Sequence, residues 1–113
     1  MNPSLATRVV VVRHAEGLHA RPADFLARTA MRYSARIEII RDTLRVDAKS
    51  ILNLLTLGAG QGSELKIEAE GEDAVAAVEE LARIVEGGFE EAVSAPEESV
   101  PDGEESPTRE STN

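Results

Sequence analysis

Apolar and polar positions alternate in some stretches of this chain and recur every three to four residues in others. Alternation is typical of a strand with one face against a core, whereas the longer period indicates a helix with one apolar face. Residues 64–70 alternate cleanly between apolar and charged side chains. The patterns predict seven elements, at residues 7–12 (strand), 20–33 (helix), 36–41 (strand), 44–47 (strand), 51–57 (helix), 64–70 (strand) and 73–86 (helix).

The order of these elements, βαββαβα, predicts an α+β fold with the helices on one face of a sheet. The first strand is rich in β-branched residues and is expected to be buried on at least one face. The apolar stripe of the first helix consists of Phe25, Leu26, Thr29, Ala30 and Tyr33. The stripe of the last helix, which Gly87 and Gly88 are expected to end, consists of Val75, Val78, Leu81, Ala82, Ile84 and Val85.

Charge divides the chain into two parts. The formal net charge is -9, yet positions 1–50 carry nine basic residues against five acidic ones. Positions 90–113 carry eight acidic residues against one basic residue and are rich in proline and serine. Such a composition cannot offset the entropy of ordering the chain. We therefore predict a folded domain at residues 1–89 and an acidic, disordered tail at residues 90–113.

Composition also narrows the compartment and the partners. The chain has no cysteine, which excludes disulfides and a thiolate nucleophile. Its first apolar run is too short for a signal peptide or a membrane span, so we expect a cytoplasmic protein without membrane insertion. One tyrosine and two phenylalanines offer little stacking for bases. The basic half is therefore expected to steer an acidic protein partner, and we expect no nucleic-acid binding.

One motif places a histidine where a helix begins: residues 17–23 read GLHARPA. Proline is favoured in the first helical turn, so His19 is expected at or beside the N-cap. The free amides of Ala20 and Arg21, the positive helix end and the Arg21 guanidinium together suit a bound phosphate. Gly17 leaves the backbone free to approach a bound phosphate closely. We predict His19 and Arg21 as the reactive pair and Ala20 and Arg21 as the phosphate-binding residues.

With this motif the chain resembles the HPr family, the histidine-containing phosphocarrier proteins of the bacterial phosphoenolpyruvate-dependent sugar phosphotransferase system. A second string, KSIL at residues 49–52, stands at the family's separation from His19. The resemblance covers about residues 6–89. It implies an open-faced β-sandwich, in which a four-stranded antiparallel sheet is covered on one face by three helices.

The resemblance also implies a function. His19 would take a phosphoryl group from phosphorylated enzyme I, on Nδ1, and pass it to a histidine of a sugar-specific enzyme IIA domain. We expect no cofactor and no metal, since the sequence has no P-loop and no evident cluster of metal ligands. We expect a monomeric carrier that is not a stand-alone enzyme. The alternative interpretation is a regulatory paralogue that signals carbon or nitrogen status through its phosphorylation state, without transport.

Ser50 offers a second use of phosphate. Its hydroxyl is expected to cap helix 51–57 by accepting from a first-turn amide. In the resembling family, HPr kinase/phosphorylase phosphorylates the serine at this position from ATP, and a cap without regulation is the alternative. The expected partner-binding patch consists of Ala20, Lys49, Ile51, Leu52 and Leu55. At least one of the three apolar residues of this helix is also expected in the core.

Two further residues near the motif have ordinary interpretations. His14 follows the first strand, has no partner motif, and is expected to be a solvated loop residue. Asp24 is expected in the first helical turn, where the helix dipole favours an acid. In the alternative interpretation the charge of Asp24 repels the phosphoryl group and tunes its exchange.

Overall fold

The structure, a computed structural model, describes residues 4–89, and the predicted tail at 90–113 lies outside them. The elements are β1 (Leu5–Val11), α1 (Ala20–Ala30), β2 (Arg36–Arg41), β3 (Leu44–Asp47), α2 (Ile51–Leu55), β4 (Glu64–Glu70) and α3 (Ala74–Glu86). The four strands form one antiparallel sheet in the order β1-β4-β2-β3. The predicted α+β architecture is therefore confirmed.

One face of the sheet carries the core, and the other is open. Val10 of β1 is buried, whereas its neighbour Val9 is 55% exposed, so β1 is covered on one face only. Burying a large aliphatic side chain stabilises the fold by about 1.5–3 kcal/mol. The largest fully buried side chains come from all three helices and from the covered sheet face: Leu26, Ile37, Ile39, Leu54, Leu65, Ile67 and Leu81.

Both of the first two helices end earlier than their apolar periods predict. Helix α1 ends at Ala30, and the amides of Arg32 and Tyr33 then donate to carbonyls three residues back, at 3.0 and 3.1 Å. Tyr33 still packs against the core, which is why the helical period runs past the helix.

In α3 the predicted apolar stripe is too wide at its start, because Val75 is 55% exposed.

Two loops meet at one end of the sheet and fix the start of α1. The amide of Gly62 donates to the carbonyl of Val12 at 2.7 Å, and the amide of Val12 donates to Ser63 at 2.9 Å. Further along, the amide of Leu18 donates to the carbonyl of Ala59 at 2.8 Å. Leu18 is itself buried. The residue that follows it, at the head of α1, is therefore held by backbone contacts on one side and by the core on the other.

Candidate functional site

His19 is the N-cap of α1, as predicted. Its backbone is extended, with φ -101° and ψ -166°, and its carbonyl accepts the first helical hydrogen bond, from Ala23 at 2.9 Å. The amides of Ala20 and Arg21 precede this first donor, so the helix itself gives them no acceptor. The imidazole makes no capping hydrogen bond either. The helix thus presents two amides and an uncommitted ring at its positive end.

The His19 ring is partly open to solvent. Its side chain is 41% exposed, yet Nε2 is enclosed and has no hydrogen-bond partner among residues 4–89. Glu16 Oε1 lies 3.2 Å from Nε2, but the two atoms are not aligned as a hydrogen bond. Arg21 is exposed and makes no hydrogen bond or ion pair with any of residues 4–89. A cation and a reachable imidazole therefore stand together at the helix start.

Gly17 explains how the loop reaches this position. Its φ is +72°, in the left-handed region that favours glycine. A Cβ at Gly17 would lie 2.6 Å from the carbonyl oxygen of Ala59 and 2.8 Å from Cα of Gly60. The two backbones are thus in direct contact just before the histidine. The close approach that glycine permits here is to the backbone of the loop that contains Ala59 and Gly60.

His14 is not the solvated loop residue that the sequence suggested. It is half-buried, and its ring centroid lies 5.4 Å from that of His19. Its Nδ1 accepts a hydrogen bond from the amide of Glu16 at 3.1 Å, and Gly17 donates to its carbonyl at 2.9 Å. The tight turn from His14 to Gly17 folds its ring back onto His19. A histidine a few residues before a glycine in a short loop was the sequence signal for this contact.

Phe89 also belongs to the site, although the sequence analysis placed it only at the end of the folded domain. Helix α3 ends with Gly88 at φ +79°, and the amides of Gly88 and Phe89 donate to Val85 and Ile84 at 3.2 and 2.8 Å. This is the Schellman arrangement, which turns the next apolar residue back onto the helix. Phe89 is 7% exposed, and its ring meets His14 edge-on at 6.1 Å.

Asp24 lies one turn further into α1 than expected. The first turn of the helix contains no acid, because the helix begins at Ala20, directly after the N-cap His19, and Asp24 comes after that turn. The Asp24 carboxylate accepts from Arg28 Nε at 3.0 Å, and both side chains line the depression that holds His19. The interpretation as an acid favoured by the helix dipole is therefore wrong. Its suggested effect on phosphoryl exchange stays a prediction.

Ser50 caps α2, as predicted. Its Oγ accepts from both the backbone amide and the side-chain amide of Asn53, at 3.2 Å each. Its neighbour Lys49 is turned toward the segment that follows α1, where Nζ donates to the carbonyl of Tyr33 at 2.8 Å. Lys49 and Ser50 of the second motif therefore both have structural contacts, and both are only half-buried.

The apolar residues of α2 divide differently from the expectation. Leu54 is the buried residue of this five-residue helix. Ile51, Leu52 and Leu55 are 37%, 75% and 37% exposed, so none of them is in the core. The expectation that one of the three must be buried is wrong, because so short a helix turns only one narrow face inward. Helices α1 and α2 contact each other, and Ala20 of the predicted patch is also exposed.

Comparison with known proteins identifies the family to which this chain belongs. The family described as "PTS HPr component phosphorylation site" matches residues 6–87. The chain belongs to the HPr family. It is 41% identical over 87 residues to the phosphocarrier protein HPr of Treponema pallidum, covering 77% of this chain and 99% of that protein. The phosphocarrier protein HPr of Bacillus anthracis superposes with a TM-score of 0.70 at 40% identity, covering 73% of this chain and 98% of that one.

The chain is also similar to a protein that is named HPr-like rather than HPr. The HPr-like protein Crh of Bacillus subtilis is 39% identical over 77 residues, covering 68% of this chain and 91% of that protein. Membership of the HPr family makes this chain a phosphocarrier of the phosphotransferase system. The open-faced β-sandwich that the resemblance implied is confirmed as well.

One group of side chains in this HPr domain has the residue types of a metal site. His14, Glu16 and His19 can each offer one ligand atom, all within 4.8 Å of one another. The expectation from the sequence that the chain has no cluster of possible metal ligands was therefore wrong. His14 Nδ1 already accepts from the Glu16 amide, and no ion is assigned to these three side chains. Within residues 4–89 no helix has the length and apolar character needed to cross a membrane.

Proposed function

We propose that His19 accepts a phosphoryl group from phosphorylated enzyme I and passes it to a histidine of an enzyme IIA domain. The observation that carries this proposal is the position of His19 as the N-cap of α1, with a partly exposed ring that makes no capping bond. The free amides of Ala20 and Arg21 at a positive helix end are suited to hold phosphate oxygens. The exposed guanidinium of Arg21 adds charge-assisted donors.

In this step the lone pair of a neutral His19 nitrogen attacks phosphorus. The bond from phosphorus to the donor's nitrogen breaks, and its electron pair returns to the donor. Nδ1 is the nitrogen that we assign to the new bond, since Nε2 is enclosed. Transfer onward reverses the roles, because the P–N bond keeps a high transfer potential.

Arg21 and the two amides act on the transferring group itself. Negative charge spreads over the equatorial oxygens in the transition state, so positioning and electrostatic stabilisation carry the catalysis. A partner protein supplies the second histidine and completes the environment. No cofactor enters this scheme.

Ser50 and the exposed face of α2 form the second part of the proposal. The patch of Ala20, Lys49, Ile51, Leu52 and Leu55 is proposed to contact enzyme I, enzyme IIA and HPr kinase/phosphorylase. Phosphorylation of Ser50 would add negative charge at the start of α2, where the helix tolerates an anion. The same charge at the edge of an apolar surface would oppose an acidic partner.

The test is incubation of the full chain with enzyme I and labelled phosphoenolpyruvate. We expect an acid-labile label on the protein, and its transfer to an added enzyme IIA domain. His19→Ala should abolish labelling, while Ser50→Ala should retain it. His14→Ala is the matched control, because it removes the other histidine of the chain and should still be labelled. An acid-labile label that persists in His19→Ala would refute the assignment.

The regulatory alternative rests on the similarity to Crh. In that case the chain would signal through phosphorylation without supplying a sugar transporter. Labelling by enzyme I with no transfer to any enzyme IIA domain, together with labelling of Ser50 by the kinase, would favour it.

A further inference from the structure

A carboxylate stands against the enclosed nitrogen of His19. Glu16 Oε1 lies 3.2 Å from Nε2, which has no hydrogen-bond partner among residues 4–89. The Glu16 side chain is 75% exposed and can therefore rotate into alignment at little cost. Because an enclosed polar nitrogen costs free energy when it is left unpaired, pairing with this carboxylate is favoured.

The loop that carries this carboxylate is held on two sides. The amide of Glu16 donates to Nδ1 of His14 at 3.1 Å. The ring of His14 lies between those of His19 and Phe89, with centroid distances of 5.4 and 6.1 Å. The end of α3 thus supports His14, and His14 supports the backbone of Glu16. The position of the Glu16 backbone is therefore a property of the folded domain rather than of the local sequence alone.

This contact selects one form of the histidine ring. A neutral imidazole has one N–H group and one lone pair, while an ionised carboxylate can only accept hydrogen bonds. A proton on Nε2 therefore has an acceptor 3.2 Å away once the Glu16 side chain turns into alignment, whereas a lone pair on Nε2 would lie beside another lone pair. The favoured form keeps its proton on Nε2 and its lone pair on Nδ1.

We propose that Glu16 is a positioning residue that holds the proton on Nε2 of His19 both before and after phosphoryl transfer, with His14 fixing the loop that carries it. This inference rests on the proposed function. As Nδ1 bonds to phosphorus, the donor's bond breaks and Nε2 keeps its proton, so the phosphorylated ring is positively charged next to Glu16. On transfer onward, the Nδ1–P bond breaks, its electron pair returns to Nδ1, and a neutral imidazole leaves.

The proton on Nε2 matters because it decides whether the ring leaves phosphorus as a neutral imidazole or as an anion. A phosphorylated ring that has lost the Nε2 proton would have to leave as an imidazolide anion, which is a much poorer leaving group. Glu16 therefore favours the transferable form of the phosphorylated protein. The charged and titratable side chains that face His19 come from the loop before α1 and from α1 itself: His14, Glu16, Arg21, Asp24 and Arg28. Arg21 opposes a protonated ring, and Asp24 is paired with Arg28 at 3.0 Å, so Glu16 is the nearest group that favours the proton.

The test compares the full chain with Glu16→Gln, which keeps the shape of the side chain and removes its charge. Glu72→Gln is the control, because it removes the same charge from an exposed turn next to β4, at the far end of the sheet. Each protein is phosphorylated with enzyme I and phosphoenolpyruvate, and hydrolysis of the label is followed across the pH range. At alkaline pH, Glu16→Gln should lose its label about threefold more slowly, since loss of an exposed carboxylate leaves fewer phosphorylated rings with a proton on Nε2. At acid pH, where the ring is protonated in every variant, the three rates should agree.

The pH dependence separates this role from a structural one. If Glu16→Gln changes hydrolysis by the same factor at every pH, or does not change it, the inference is wrong. Nitrogen NMR of unphosphorylated His19 at alkaline pH gives an independent result: the parent should carry its proton on Nε2, and Glu16→Gln should show a larger share of the other form. Unchanged NMR shifts in the variant would also overturn it. Failure of enzyme I to label the parent would instead refute the proposed function, and the NMR result would then decide the role of Glu16 alone.

Discussion

Gly17→Ala should disturb the site more than any other exchange of glycine for alanine in the surrounding loops. The new Cβ would lie 2.6 Å from the Ala59 carbonyl oxygen and 2.8 Å from Cα of Gly60. Both are backbone atoms, so neither can rotate away as a side chain would. The amide of Leu18 also binds the Ala59 carbonyl, at 2.8 Å. Relief of the clash therefore has to move the loop that carries His19.

The expected cost has two parts. Alanine in the left-handed region at φ +72° costs about 1–2 kcal/mol. Forcing a methyl group into a packed contact costs about 1–3 kcal/mol more. We therefore expect Gly17→Ala to lower the free energy of unfolding by about 2–5 kcal/mol, which is a large part of the 5–15 kcal/mol typical of a folded domain.

Two neighbouring glycines give matched controls. Gly62 has φ +89° with nothing within 4 Å of a Cβ, so Gly62→Ala should show the backbone cost alone. Gly60 has no such φ and also has open space around a Cβ, so Gly60→Ala should cost nothing measurable. Urea unfolding of the four proteins measures these differences. Labelling by enzyme I, under conditions where all four are folded, should slow only in Gly17→Ala.

Either of two results would refute this reasoning. If Gly17→Ala costs no more than Gly62→Ala, the close approach of the two loops contributes nothing to stability. If it is destabilised but labels at the parent's rate, the contact does not position His19.

Three further predictions test other parts of the domain. Arg21→Ala should slow phosphoryl transfer by tenfold to about a hundredfold, since hydrogen bonds to charged groups contribute about 1.5–3 kcal/mol. Arg28 also lines the depression, and Arg28→Ala should slow the transfer less. Equal losses in the two variants would contradict the assignment. Ser50→Ala should lower the free energy of unfolding by about 1 kcal/mol through loss of the cap, and Ser50→Asp should restore most of it; a stable Ser50→Ala would show that the cap contributes nothing. Hydrogen bonds from the backbone amide of Ser34, at 2.8 Å, and of the next residue hold the pKa of Asp73 below its usual 3.8. Its contribution is therefore present above that pH and lost as the pH falls through the lower folded-state value, so in urea unfolding Asp73→Asn should be less stable than the parent near neutral pH but not in strong acid.

Sequence reasoning was most accurate where residues close along the chain fix the structure. Hydrophobic patterns, β-branched residues and cap residues together located every element, and the cap at Ser50 followed from a serine directly before a helix. Helix ends were less accurate. At Tyr33 the apolar period continues through a tighter turn, and the period alone does not distinguish that turn from an α-helix.

The exposed face of α2 shows a second kind of error. A short run of apolar residues suggested a core contribution from Ile51, Leu52 or Leu55. Only the packing of α2 against the rest of the domain decides that Leu54 is the inward residue. A five-residue helix is too short for its period to reveal which face is buried.

The sequence by itself determined the position of His19 at the start of α1, because the N-cap, the proline and the neighbouring arginine all lie within a few positions of one another. Only the tertiary structure decided what surrounds that ring. The turn from His14 to Gly17 and the end of α3 bring His14, Glu16 and Phe89 together. Phe89 is far from the other two along the chain, and no local period or cap links such positions. Their contact exists because α3 packs across the sheet and its glycine end turns Phe89 back onto the loop before α1.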